Sequence, residues 1–297
     1  MAPIAKALFQ PSPRLSLRRA SVADLEAMLE IALAALPMDP QWDYRFPHRR
    51  AYPSDTRKYT RMRYREFLED QNERWVVMLA EHRPAQDSRE PVAFAVWEIK
   101  NIRKQKTVQI QLEKNLNVLH RPPFRQRRRD GDCKRMQAWT DTTSASKKLL
   151  FDSQFGASHF QLQILATHPE FQRRGAGGQL VGWGIQLAQC LNMAISVFAS
   201  PMGERLYLRL GFVSVASVFV NVEKELESVV LAAMVYVPSG SSRPSSRKDA
   251  PMATEMSLIR LVRLPIQTRS AQGSFQGPAS GAKTRENLDD IGGACPA

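Results

Sequence analysis

The stretch LQILATHPEFQRRGAGGQLVGWGIQLA, from Leu162 to Ala188, decides how this chain is read. It has three parts. An apolar run from Phe160 to Thr167 has strand length and stops at His168-Pro169. A loop follows that holds Gly175 and the pair Gly177-Gly178. An apolar helix is then predicted from about Gly178 to Leu191. Glycines at a strand-to-helix turn let the backbone approach a phosphate without a Cβ in the way. The free amides of the first helical turn and the helix dipole both favour an anion there. Arg173 and Arg174 add positive charge beside it. The spacing is not the dinucleotide pattern G-x-G-x-x-G, and the Lys-Ser/Thr of a P-loop is missing.

Working outward, a strand is predicted over Leu15 to Ala20 and a helix from Ser21 to Leu36. In that helix Ser21 and Asp24 form a weak variant of the capping box. Residues Gln41 to Pro47 are aromatic but irregular. A second helix is expected from Asp55 to about Asp70, then a hairpin of strands over Arg74 to Glu81 and Val92 to Ile99. Downstream lie helical character from Asp132 to Phe151, a strand over Ala194 to Ala199 and a short helix over Pro201 to Leu210. Gly211 closes that helix. Two final strands, Phe212 to Val222 and Val229 to Val237, complete the pattern.

The glycine loop and its surroundings resemble motif A of the GNAT superfamily of N-acetyltransferases. The signature Gln/Arg-x-x-Gly-x-Gly/Ala is met by Gln172, Gly175 and Gly177. ASPMGERLYLRLGF, from Ala199 to Phe212, resembles the family's second half, where Tyr207 precedes Gly211-Phe212. The His-Pro-Glu-Phe lead-in is most similar to the fungal branch of small GNAT-like enzymes. The resemblance implies a mixed α/β fold: a mostly antiparallel sheet of six to seven strands flanked by four to five helices. It spans residues 15–237 and is preceded by a flexible N-terminus over 1–14. A basic insertion at 100–131 interrupts it. After Pro238 the Ser-, Gly- and Arg-rich composition predicts a mostly disordered tail over 238–297.

The resemblance also implies roles. Acetyl-coenzyme A is the expected co-substrate, with no metal. Backbone groups of Leu165, Ala166 and Thr167 would pair with its pantetheine arm. Gln172, Arg173, Arg174, Gly175, Ala176, Gly177 and Gly178 would hold the pyrophosphate, and Ser200 would line the opposite side. Tyr207 would protonate the departing thiolate. A phenol of pKa about 10 does this for a thiolate of about 8.5 only when position and electrostatics help. Trp42, Tyr44 and Phe46, with Asp43 between them, are candidates for the acceptor site. Family carboxylates are expected where Gln163 and Phe198 stand, and neither residue can take a proton from an amine. His168 is read as ordering its turn rather than as a base. Glu98 and Glu170 have no orientation in the sequence, so the base stays unassigned.

The expected reaction is acetyl transfer to a small-molecule amine by direct attack in a ternary complex, with a fungal detoxification or secondary-metabolite acceptor implied by the resemblance. The alternatives are a catalytically weak acyl-coenzyme A-binding protein and a nucleic-acid-binding protein. The net charge of +13 bears on the last. Between Lys100 and Leu150 there are 14 Lys and Arg against 4 Asp and Glu, centred on Arg125 to Arg129. Phe124 is the nearby aromatic, so the run is read as a solvated linker. The three cysteines, Cys133, Cys190 and Cys295, form no metal or disulfide spacing. The first residues make a poor secretory signal, and no run reaches the roughly 18 apolar residues of a membrane span. These features predict a cytoplasmic protein, with a nuclear or mitochondrial address as the alternatives. Oligomeric state is left open.

Overall fold

A computed structural model describes residues 15–70, 74–83, 88–99, 128–156, 159–238 and 261–262. The expected flexible N-terminus, most of the basic insertion and nearly all of the tail lie outside the described residues. The elements run β1 (Leu15–Arg19), α1 (Leu25–Ala35), α2 (Pro40–Arg45), α3 (Pro53–Leu68), β2 (Trp75–His82), β3 (Glu90–Ile99), α4 (Cys133–Lys147), β4 (His159–Thr167), α5 (Ala176–Leu191), β5 (Ala194–Ala199), α6 (Pro201–Arg209), β6 (Val213–Asn221) and β7 (Ser228–Tyr236). A two-residue strand, β8 (Leu261–Val262), adds an eighth to the seven that form the body of the sheet. No helix among the described residues is long and apolar enough to cross a membrane.

The sequence places most boundaries within two or three residues. The exception is α2, in a stretch read as irregular. Its start is chemical rather than periodic. The Asp39 carboxylate accepts the Gln41 amide, and Pro40 sits at the first helical position. Upstream, the capping box forms as expected. The Ser21 amide donates to Asp24 at 2.8 Å, and Arg18 ties Asp24 and Glu81 together. The Arg18 guanidinium and the Ser21 donors hold the Asp24 carboxyl down at about 2.

The strand order is β1-β2-β3-β4-β5-β7-β6-β8. Pairing is antiparallel except between β4 and β5 and between β6 and β8. A parallel pair needs a crossover, and α5 supplies it for β4 and β5. On one face α5 and α6 bury Trp97, Phe160, Leu162, Val197, Phe212 and Met234. On the other face, α1 and α3 cover Leu79, Phe94 and Val96, while α4 covers Val218, Leu231 and Val235.

Two irregularities shape the middle of this sheet. The β4/β5 ladder runs only from His159↔Ala194 to Leu162↔Val197. Beyond it β4 continues to Thr167, bonded to β3 alone through Ala95↔Leu165, Phe94↔Ala166 and Ala93↔Thr167. The strands therefore part, and the far edge of β4 has no strand paired to it there. The second irregularity is a bulge. Val96 faces Ile164 and Trp97 faces Leu162, which leaves Gln163 as the extra residue.

Close packing of α5 on β3 sets up a first prediction. A Cβ at Gly184 would fall well inside contact distance of Cη2 of the fully buried Trp97. Gly184→Ala gains about 1 kcal/mol of helix propensity. It loses more to overpacking, which typically costs about 1–3 kcal/mol. The net loss is up to about 2 kcal/mol, so we expect a melting temperature lower by up to about 8 °C, at about 2–4 °C per kcal/mol for a domain of this size. A thermal melt checks it, and an unchanged value would show that Trp97 has another place to go.

Candidate active site

The parting of β4 and β5 opens a cleft of about 1150 Å³ that passes through the sheet. On the α5/α6 side its wall is made by Leu165, Ala166 and Thr167, by Gln172, Arg173 and Gly175 to Gly178, and by Ser200 and Tyr207. Every residue expected to hold the coenzyme is in this wall except Arg174. Its guanidinium instead lies 5.2 Å from the centre of the Phe171 ring.

The turn into α5 has the geometry its residues demand. Gly175 is the N-cap at φ +95°, a left-handed conformation that a Cβ would strain. The first helical hydrogen bond is donated by Gln179 to Gly175 O, so the amides of Ala176, Gly177 and Gly178 precede the ladder. A Cβ on Gly177 would meet Leu206, Leu165 and Thr167 at 3.6–3.7 Å, whereas Gly178 faces open space. The Gln172 side chain donates to the Thr167 carbonyl at 3.2 Å and ties the loop to the end of β4.

Opposite, Ser200 caps α6 and accepts the Gly203 amide. Tyr207 sits about two turns further on, 5 % exposed, with its ring 5.5 Å from that of Phe212. Burial, helped by the negative charge of Asp39, pushes its phenol above the ordinary tyrosine value. The phenol therefore stays protonated throughout the neutral range.

On the α1/α3/α4 side the structure orients a carboxylate that the sequence left unassigned. Glu98 lines the cleft and is 4 % exposed. Its Oε1 accepts from Arg74 Nε at 3.0 Å and Nη2 at 2.7 Å, and its Oε2 accepts from Gln163 Nε2 at 3.0 Å. The bulge makes this possible, because it turns Gln163 into the cleft beside the neighbouring strand's acid. The other site candidates divide. Trp42 and Phe46 line the cleft, with rings 4.7 Å apart. Tyr44 does not; it is buried against Ala138, Phe151 and Leu231 beneath α4. Asp43 points away and pairs with Arg49 at 2.8 Å. Phe198 lines the cleft and packs on Phe151. His168 and Glu170 lie outside the cleft. The His168 amide donates to Val92 O, in keeping with a turn-ordering residue. Trp139, Arg45 and Arg128 join the wall from segments that carry no sequence signal for it.

The chain is similar to a curated protein named as an acetyltransferase in Stachybotrys chartarum, 28% identical over 77% of this chain and 94% of that protein. The strand order, the parted parallel pair and the glycine turn at its mouth give the architecture. The chain has the GNAT fold. No family model matches it. Among solved structures it is similar to one described as histone acetyltransferase HPA2 and related acetyltransferase, from Corynebacterium glutamicum. That match has 18% identity, 77% of this chain, 99% of the other and a TM-score of 0.47. It is also similar to a polyamine N-acetyltransferase from Drosophila melanogaster, with 15% identity, 75% and 99% coverage and a TM-score of 0.48.

The described end of the basic run enters this GNAT body as a structural strut. Arg128 pairs with Asp130 at 2.7 Å and Arg129 with Asp55 at 2.8 Å. Both charges have carboxylate partners within the chain, Arg128 half-buried and Arg129 at the surface, which weakens the case for a nucleic-acid surface at this end. Arg125 to Arg127 lie outside the described residues.

Proposed function

We propose that this GNAT-fold acyltransferase moves the acetyl group of acetyl-coenzyme A to the amine of a small molecule, by direct attack in a ternary complex. One observation carries the reading: an unpaired strand edge in the middle of a sheet runs into a glycine turn with free amides, and a protonated tyrosine stands across from it. These residues fit the coenzyme. The strand-free edge at Leu165 to Thr167, with the Thr167 carbonyl already accepting from Gln172, offers its remaining backbone groups to the pantetheine arm as a further strand would. The first-turn amides of α5, with Arg173, suit a pyrophosphate. A shallow floor at Gly177 lets it come close.

Acetyl-coenzyme A supplies the activated thioester. The chain's own part is to hold the amine near that carbonyl, exclude water and manage protons. Tyr207 holds a proton at its phenol oxygen and donates it to the leaving sulfur. Trp42 and Phe46 form the apolar wall for the acceptor. Glu98 replaces the carboxylates missing at Gln163 and Phe198. Its two oxygens are already committed to Arg74 and Gln163, so it orients the incoming amine, and a water chain along the cleft removes the proton.

Calorimetry with acetyl-coenzyme A, followed by free-thiol release with a panel of amines, tests the proposal. We expect micromolar binding and turnover of at least one small amine. Binding without turnover of any amine would favour a non-catalytic acyl-coenzyme A-binding protein instead. Glu98→Gln is expected to lower kcat/KM for the amine by about tenfold or more with coenzyme affinity unchanged. A lowered coenzyme affinity would place Glu98 on the donor side.

A further inference from the structure

Resting on the acyl-transfer reading above, we propose that the acceptor carries a carboxylate as well as its amine, and that Arg45 is the seat of that carboxylate. Arg45 ends α2 and lines the cleft. Its guanidinium carbon lies 4.2 Å from the centre of the Trp139 ring, 5.2 Å from that of Phe46 and 5.5 Å from that of Trp42. All three rings belong to the same wall. Its Nε donates to the Gln41 carbonyl at 3.1 Å. Nη1 and Nη2 donate to no group among the described residues, and no carboxylate there comes within ion-pair distance of them.

The contrast with its neighbours is what singles Arg45 out. Arg74 is paired with Glu98, Arg128 with Asp130, Arg63 with Glu66 and Lys147 with Asp152. Arg45 is more enclosed than Arg63 and Arg74 and, unlike all four, has no such partner among the described residues. Its enclosure, with the like charge of Arg128 second, pushes it down to about 10, while Asp39 opposes the shift. It remains charged at neutral pH. A guanidinium sheltered from water costs stability unless an anion compensates it. The planar fork, set among aromatic rings with its outer nitrogens unspent, matches a carboxylate in bidentate geometry.

The acceptor's amine has a complementary mark of its own. Glu98 is the buried acid of the same cleft, and it attracts an ammonium before the proton is lost. A cation and an anion on the walls of one aromatic-lined cleft describe an amino-acid-like acceptor rather than a simple alkylamine or polyamine. A polyamine would bring a second positive charge to Arg45 and be repelled.

Binding decides this without reference to turnover. In the presence of coenzyme A, N-acetylphenylalanine and its methyl ester are titrated into the full chain and followed by calorimetry. The acid is expected to bind at least about tenfold more tightly than the ester, the range of one charged hydrogen-bonded pair. In Arg45→Gln the two ligands become equal, with coenzyme A affinity retained. In Arg45→Lys, which keeps the charge and loses the fork, the preference is reduced but present. Equal affinity of acid and ester for the unmodified chain overturns the proposal, as does failure of both to bind, or a preference that survives Arg45→Gln. The comparison of acid with ester on the unmodified chain is decisive even if a variant fails to fold. A chain that discriminates acid from ester but releases thiol with no amine would sink the acyl-transfer reading and leave the carboxylate seat standing.

Discussion

Gly175→Glu is expected to weaken acetyl-coenzyme A binding by at least about 100-fold, equivalent to about 2.8 kcal/mol, as read by calorimetry. Two effects act in the same direction. Gly175 adopts φ +95°, so any side chain there strains the backbone by about 1–2 kcal/mol. That strain tilts the first turn of α5, whose amides form the anion site. The added carboxylate then occupies the ground where the pyrophosphate belongs, and like charges in one site repel by several kcal/mol. Gly175→Asn separates the two effects. Asparagine tolerates the left-handed region and adds no charge, so it should retain most of the affinity. The fold should survive in both variants, because a Cβ at Gly175 meets nothing within 4 Å. Intact binding in Gly175→Glu would show that the pyrophosphate lies elsewhere.

Tyr207→Phe is expected to lower kcat by about 100-fold, the low end for removal of a positioned general acid, with coenzyme affinity unchanged. The ring stays packed between Phe212 and the first residues of α6, so the variant removes one oxygen and little else. No hydrogen bond from that phenol is made within the described residues, so the melting temperature should hold. The pH profile separates this role from a packing role. The folded phenol titrates above its ordinary value of about 10. A raised value favours the protonated form, so the donor is intact at every pH below about 10 and is lost only as pH climbs through the folded value. The unmodified chain should show no alkaline loss of kcat from this group below pH 10. Full turnover of Tyr207→Phe at neutral pH would end the general-acid assignment.

The fold was legible because its main signals are long and periodic. The strand runs at 92–99 and 160–167, the helix entered at the glycines and Gly211 after α6 each obey one physical rule over several residues. The wall proposed for the donor was legible as a shared surface for the same reason: it is built largely from backbone, and backbone geometry is written in glycine positions. The acceptor half was not. Helix α2 has six residues, too few to show a period, and only Asp39-Pro40 marked its start. Tyr44 and Phe46 lie two apart on that segment, so one turns to the core and the other to the cleft. Glu98 sits in a run apolar enough to read as wholly buried. Its partnership with Gln163 depends on a one-residue bulge that leaves no mark in composition. Arg45 draws its meaning from Trp139, which is far along the chain and on a different helix.

The short ladder between β4 and β5 has a consequence for the life of the protein. Four register pairs are the whole backbone seam between two wings of the sheet, one carrying β1 to β4 and the other β5 to β7. Helix α5 leans mainly on the first wing and α6 on the second. A donor molecule lying along the gap touches both, and so rivets them. At a hundredfold excess over its dissociation constant it would add about 2.7 kcal/mol to the folded state. Amide exchange in both wings should then slow together as acetyl-coenzyme A is added. On the proposed reading, a protein joined this way would gain protection from proteolysis as its acyl-donor supply rises, so its abundance in a cell would follow the metabolic state that feeds its own reaction.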